Sequence, residues 1–133
     1  MKFMQKLFLA FGFFTACATL AHAHAFLDHA DPKVGSTVNG SPSVVKVWFT
    51  MEIQGVLSKI EVFDVKGHEV DEKDARVDPA DKSLMVVSVP KLPAGAYKVV
   101  WNAVCLCCGH HTTGAFTFEV AAPKNPHYSL NKR

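Results

Sequence analysis

Short runs in which apolar and polar residues alternate, each cut off by glycine, proline or a polar cluster, constrain this chain more than any other feature. In "SVVKVWFT", residues 43–50, Val45, Val47 and Phe49 share one face, while Val44, Lys46 and Trp48 share the other. In "LSKIEVFDV", 57–65, Ile60 and Val62 oppose Lys59 and Glu61, and Lys66-Gly67 follows as a tight turn. "SLMVVSVP", 83–90, "AYKVVWNAV", 96–104, and "GAFTFEV", 114–120, read the same way, with Pro93-Ala94-Gly95 as a turn ahead of the second. A period of two puts alternate side chains on opposite faces of a strand. The stretch 24–29 reads as extended up to Asp31-Pro32, and the polar stretch 71–82 as a loop or irregular edge. About seven short strands, each with one apolar face, predict an all-β sandwich built from two sheets. No repeat and no second domain is evident.

The beginning of the chain follows another rule. Lys2 and Lys6 precede an apolar run from Leu7 to Phe14 that continues more weakly to Leu20, and Ala21-His22-Ala23 follows. This is the layout of a secretory signal peptide. The run is short and interrupted for a membrane span, which needs about 20 apolar residues. The reading is a signal peptide over 1–23, a domain over 24–121 and a flexible polar tail over 122–133. The alternative is lipid anchoring at Cys17, whose Phe14-Thr15-Ala16-Cys17 setting loosely resembles a lipoprotein box. Removing 23 residues from 133 leaves 110, enough for one domain. Without Lys2 and Lys6 the 14 basic residues fall to 12, equal to the 12 acidic ones. The mature chain is then formally neutral. With no basic cluster and no basic run with interleaved aromatics, nothing points to nucleic acid. No later segment is long and apolar enough to span a membrane.

Two places carry candidate chemistry. The first is His24, which cleavage after Ala23 makes the terminal residue. A terminal histidine offers its α-amine and its ring Nδ1 to one metal, closing a six-membered chelate. A free α-amine titrates at about 7.7–8.0, so a metal displaces its proton near neutral pH without much difficulty. Nitrogen donors of this kind suit Cu(II). The second is "VCLCCGHHTTGAFTF", 104–118, where Cys105, Cys107, Cys108, His110 and His111 crowd a loop between two strands. Loops at one end of a sandwich gather side chains from distant parts of a chain. Exported thiols meet an oxidising compartment, so a disulfide and a metal cluster are both open for the three cysteines. His29, His68, His111 and His127 read as solvated. Trp48 and Trp101 read as core or sheet-face residues, and Met51 and Met85 as core filler.

Taken together, the "AHA" cut, "HAFLDHADPKVGSTV", "VKVWFT", "LPAGAYKVVWNAV" and "GHHTTGAFTFEV" resemble the CopC family of periplasmic copper-binding proteins. Pro32-Lys33-Val34-Gly35 matches the family's Pro-x-x-Gly, and Leu92 through Trp101 match its Leu-x-x-Gly-x-Tyr-x-Val-x-Trp strand. The resemblance implies an immunoglobulin-like or cupredoxin-like Greek-key sandwich. It implies a copper site in which His24 supplies amine and imidazole and His110, four residues before Gly114, is the loop histidine. The family's carboxylate two residues before that histidine is replaced here by Cys108. A thiolate is softer and favours Cu(I), so Cu(II) is the expected ion and Cu(I) a possibility through Cys108, Cys105 and Cys107. Alternatively Cys108 pairs with Cys105, and Asp28 supplies the missing oxygen. The implied role is a monomeric, non-enzymatic periplasmic carrier or buffer of copper, acting in copper homeostasis and resistance. It hands its ion to an inner-membrane copper importer or another resistance component. Two other readings stay open. One is a copper-dependent oxidative enzyme with a histidine brace. The other is a metal-free, disulfide-stapled immunoglobulin-like interaction domain.

Overall fold

A computed structural model describes residues 24–124. The expected signal segment, Cys17 within it, and His127 lie outside the described residues. Eight strands are formed and no helix among the described residues. They are β1 (Leu27–Asp31), β2 (Thr37–Val38), β3 (Val44–Phe49), β4 (Lys59–Asp64), β5 (Arg76–Val77), β6 (Leu84–Ser88), β7 (Gly95–Val104) and β8 (His111–Val120). Two sheets of four result, ordered β1-β3-β6-β5 and β2-β8-β7-β4. The all-β sandwich expected from the alternation is therefore the fold. The count exceeds seven because β2 and β5 are two-residue edge strands. β5 lies within the polar stretch 71–82, where an irregular edge was expected.

The alternation sets the core. Val45, Val47 and Phe49 of β3 are buried, as are Ile60 and Val62 of β4 and Phe116, Phe118 and Val120 of β8. Met85 and Val87 of β6 face Val47 and Val45 across the first sheet. Burying each such side chain contributes roughly 1.5–3 kcal/mol relative to leaving it in water. Trp101 is buried and packs edge-on against Phe49, their ring centroids 5.4 Å apart. Its cross-strand partner is Gly114, and a Cβ at that position would lie 2.4 Å from the indole. Only glycine leaves the space that the indole occupies. Trp48, by contrast, stands on the outer face, stacked on His29 at 4.4 Å.

What positions the candidate site is the pairing of β7 and β8. These are the two longest strands, and their register runs from Gly95↔Val120 to Val104↔His111. They project the intervening loop, 105–110, from one end of the sandwich. The Pro32–Gly35 motif is a turn that docks on the same strand: Gly35 N donates to Thr117 O at 2.7 Å, and Ser36 N to Lys33 O at 3.0 Å.

Candidate metal centre

The segment leading into β1 is held by both sheets. Thr50 N donates to Phe26 O at 2.9 Å, Phe26 N donates to Thr50 Oγ1 at 3.0 Å, and Thr50 Oγ1 donates to His24 O at 3.3 Å. On the other side, the Thr112 hydroxyl of β8 donates to Ala25 O. Ala25 is fully buried and Thr112 nearly so. Buried backbone carbonyls require such partners. These two threonines are residues that sequence reasoning missed. Threonine is ordinary on strands, and nothing in the alternation marks these two as clamps.

The clamp delivers His24 to the loop. Its ring stacks on His110, with centroids 4.8 Å apart and planes inclined by 22°. The Phe26 ring lies 5.9 Å from it and nearly parallel. Two imidazoles from opposite ends of the described chain thus share one place. The loop is set by its backbone: Cys105 bridges to Ile53, Cys105 N donates to His110 O at 3.0 Å, and Gly109 N donates to Cys105 O at 2.9 Å. Gly109 closes the turn at φ +68°, a left-handed value that glycine adopts without steric penalty.

The three cysteines form their own group. Their Sγ atoms all lie within 4.8 Å of one another, with Cys105 buried and Cys107 and Cys108 exposed. Cys105 Sγ and Cys107 Sγ are 3.0 Å apart. No disulfide joins any of the three. Hydrogen bonds from Cys108 and then Cys107 pull the Cys105 thiol down to about 7, against the opposing effect of its burial. Cys107 is pushed up to about 11, chiefly by its hydrogen bond with Cys105. Among the described residues, the three thiols are the one set of three donor side chains this close together. Cys108 is thus gathered with Cys105 and Cys107, while His24 and His110 form a neighbouring pair.

Asp28 is placed differently. It is exposed, beside a β-bulge in β1, and its Oδ2 lies 2.7 Å from His29 Nδ1. His29 and His111 are exposed, as read from the sequence. His68 is exposed too and pairs with Asp64 at 3.3 Å. Met85 is core filler, fully buried. Met51 is only partly so: it packs against the core from its rim and lines a shallow groove together with Cys107.

Comparisons with known proteins agree with this architecture. Copper resistance protein C of Escherichia coli is 32% identical over 127 residues, covering 90% of this chain and 99% of that protein. The crystal structure of CopC from Methylosinus trichosporium OB3b superposes with a TM-score of 0.71 at 27% identity, covering 77% of this chain and 98% of that one. The crystal structure of PcoC, a methionine-rich copper resistance protein from Escherichia coli, does so with a TM-score of 0.60 at 32% identity, covering 73% and 98%. The CopC domain itself is matched over residues 27–121, nearly the whole sandwich, and the chain belongs to the CopC family.

Proposed function

We propose that this protein binds one copper ion at the loop end of its sandwich and carries, buffers or sequesters it in the periplasm. His24, as the terminal residue after signal cleavage, supplies amine and ring nitrogen; His110 supplies a third nitrogen. Cu(II) is the ion that such a donor set favours. Cys108 or Asp28 supplies a further donor. Asp28 exchanges its bond to His29 for the metal when it does so. The role is binding and handover by a monomer, not catalysis. An exposed site built partly on a chain terminus releases its ion by stepwise ligand exchange, which suits delivery to an inner-membrane copper importer or another resistance component. The observation that carries this reading is the 4.8 Å stacking of His24 on His110. Membership of the CopC family, and relatives named for copper resistance, support the choice of ion.

The test is a Cu(II) competition titration on two chains, one beginning at His24 and one with a single residue added ahead of it. The addition removes the chelating amine and leaves every side chain in place. Affinity should fall at least about 100-fold, or ~3 kcal/mol. Equal affinity would remove the terminal chelate from the mechanism. Intact mass of the exported protein fixes the new terminus; a mass beginning at Cys17 would assign the lipid anchor instead.

A further inference from the structure

We propose that Cys105, Cys107 and Cys108 form a second metal site, a three-thiolate cradle for Cu(I), separate from the histidine pair beside it. This goes beyond the histidine site and does not depend on it.

The geometry is close to what such a site needs. A metal–sulfur bond of about 2.3 Å places three sulfurs in a trigonal plane about 4 Å from one another. The three Sγ atoms already lie within 4.8 Å of one another, and the closest pair is at 3.0 Å. Movements of about 1 Å bring them to that plane. The loop allows this asymmetrically. Cys105 is buried and fixed by its bridge to Ile53 and its bonds to His110 and Gly109. Cys107 and Cys108 are exposed on the turn beside it.

The donor set selects the ion. Thiolates favour Cu(I), zinc and iron–sulfur clusters. Zinc in a structural site takes four protein ligands. Here the group ends at three among the described residues. Monovalent copper is satisfied by three sulfurs, and so it is the better fit. A groove of about 300 Å³ beside the loop is lined by Thr50, Met51, Glu52, Leu106 and Cys107. Met51, which carries a thioether, thus shares a groove with Cys107.

The experiment uses the exported protein, reduced and kept anaerobic, titrated with Cu(I) against a chromophoric Cu(I) chelator. One equivalent should bind, with sulfur-to-copper charge-transfer absorption in the ultraviolet. Cys107→Ser changes one exposed side chain that has no part in the proposed Cu(II) site, and so spares the core. It should weaken Cu(I) binding by more than the ~10–100-fold that losing an outer partner of a metal ligand causes. Cu(II) binding in that variant should stay within about threefold of the parent, a shift of ~0.7 kcal/mol. His110→Ala should do the reverse. The proposal is overturned if the Cys107 variant keeps its Cu(I) affinity, or if it loses Cu(I) and Cu(II) together, which would mean one mixed site. Displacement of Cu(I) by one equivalent of zinc overturns the choice of ion. A disulfide in protein exported from copper-replete cells, seen as loss of two hydrogens in the intact mass, overturns the cradle itself.

Discussion

Two connections in this sandwich are crowded with the side chains that metals favour, and they are built in opposite ways. The segment from Asp64 to Ser83 carries Asp64, Asp71, Asp74, Asp78 and Asp81. Each of these carboxylates accepts backbone N–H groups. Asp64 takes Lys66 and His68, Asp71 takes Val62 and Lys73, and Asp74 takes Ser88. Asp78 takes Ala80 and Asp81, while Asp81 takes Ser83. Most of these are local turns, closed by the residues that favour them, while the bonds to Val62 and Ser88 tie the segment to β4 and β6. In the loop 105–110 the side chains instead meet one another, thiol to thiol and, through His24, imidazole to imidazole. A count of donor residues would favour the first segment. What separates them is whether the lone pairs are already committed to the backbone.

Substitutions in the two places should therefore have separable consequences. His110→Ala is expected to lower Cu(II) affinity about 100-fold, or ~3 kcal/mol, and to leave thermal stability almost unchanged, because the side chain is exposed. A large drop in melting temperature with copper affinity intact would erase the distinction. Asp71→Ala should do the opposite. Asp71 is buried and accepts Val62 N at 2.8 Å and Lys73 N at 2.9 Å. Losing it leaves a strand amide without its partner, at about 2 kcal/mol of stability, measurable by urea denaturation. Copper affinity should stay within about twofold, a shift of ~0.4 kcal/mol.

The same contrast explains what could be read in the sequence. The alternation in 43–50, 57–65, 96–104 and 114–120 was legible because a half-buried strand imposes a period of two on its own residues. β2 and β5 were not, since a two-residue strand is defined only by its partner: Thr37 by Glu119 and Arg76 by Val86. The crowding of Cys105, Cys107 and Cys108 was visible as spacing. That Cys108 joins the other thiols, and lies outside any such set with His24 and His110, depends on how the turn at 106–109 folds. The meeting of His24 and His110 rested on resemblance to the family, because no local pattern links residues so far apart. The clamps at Thr50 and Thr112 left no pattern at all; their role comes from which carbonyls the two sheets bring to them.

Asp28 stands between the two kinds of carboxylate, and its substitution sharpens the boundary. Its Oδ2 already lies 2.7 Å from His29 Nδ1, so a metal competes with an existing partner for it. Asp28→Asn should weaken Cu(II) binding about threefold, or ~0.7 kcal/mol. A loss of tenfold or more in the same titration would make Asp28 a full ligand. No change would leave Cys108 as the further donor.

The smallest expected effect tests the aspartate-rich side by pH. Asp74 Oδ2 accepts Ser88 Oγ at 2.7 Å, and Oδ1 accepts Ser88 N at 2.7 Å; Arg76 adds a weaker attraction at 3.2 Å. These hold the Asp74 carboxyl below its ordinary value, with the Ser88 hydroxyl bond the largest cause. A carboxyl lowered in the folded state stabilises the fold fully above the unfolded value, near 3.9. That contribution is lost as pH falls through the folded value. The stability difference between the parent and Asp74→Asn should thus be constant from neutral pH to about 5, and shrink below about 4. Because Asp74 is 41% exposed, solvent screens the interaction and the difference stays small. Copper release by acid involves different groups, since metal ligands must be deprotonated to bind. Asp74→Asn should leave the pH at which Cu(II) dissociates where it is in the parent. If that pH moves with the substitution, the two connections are coupled, and the carboxylates of 64–83 act on the metal end as well as on the fold.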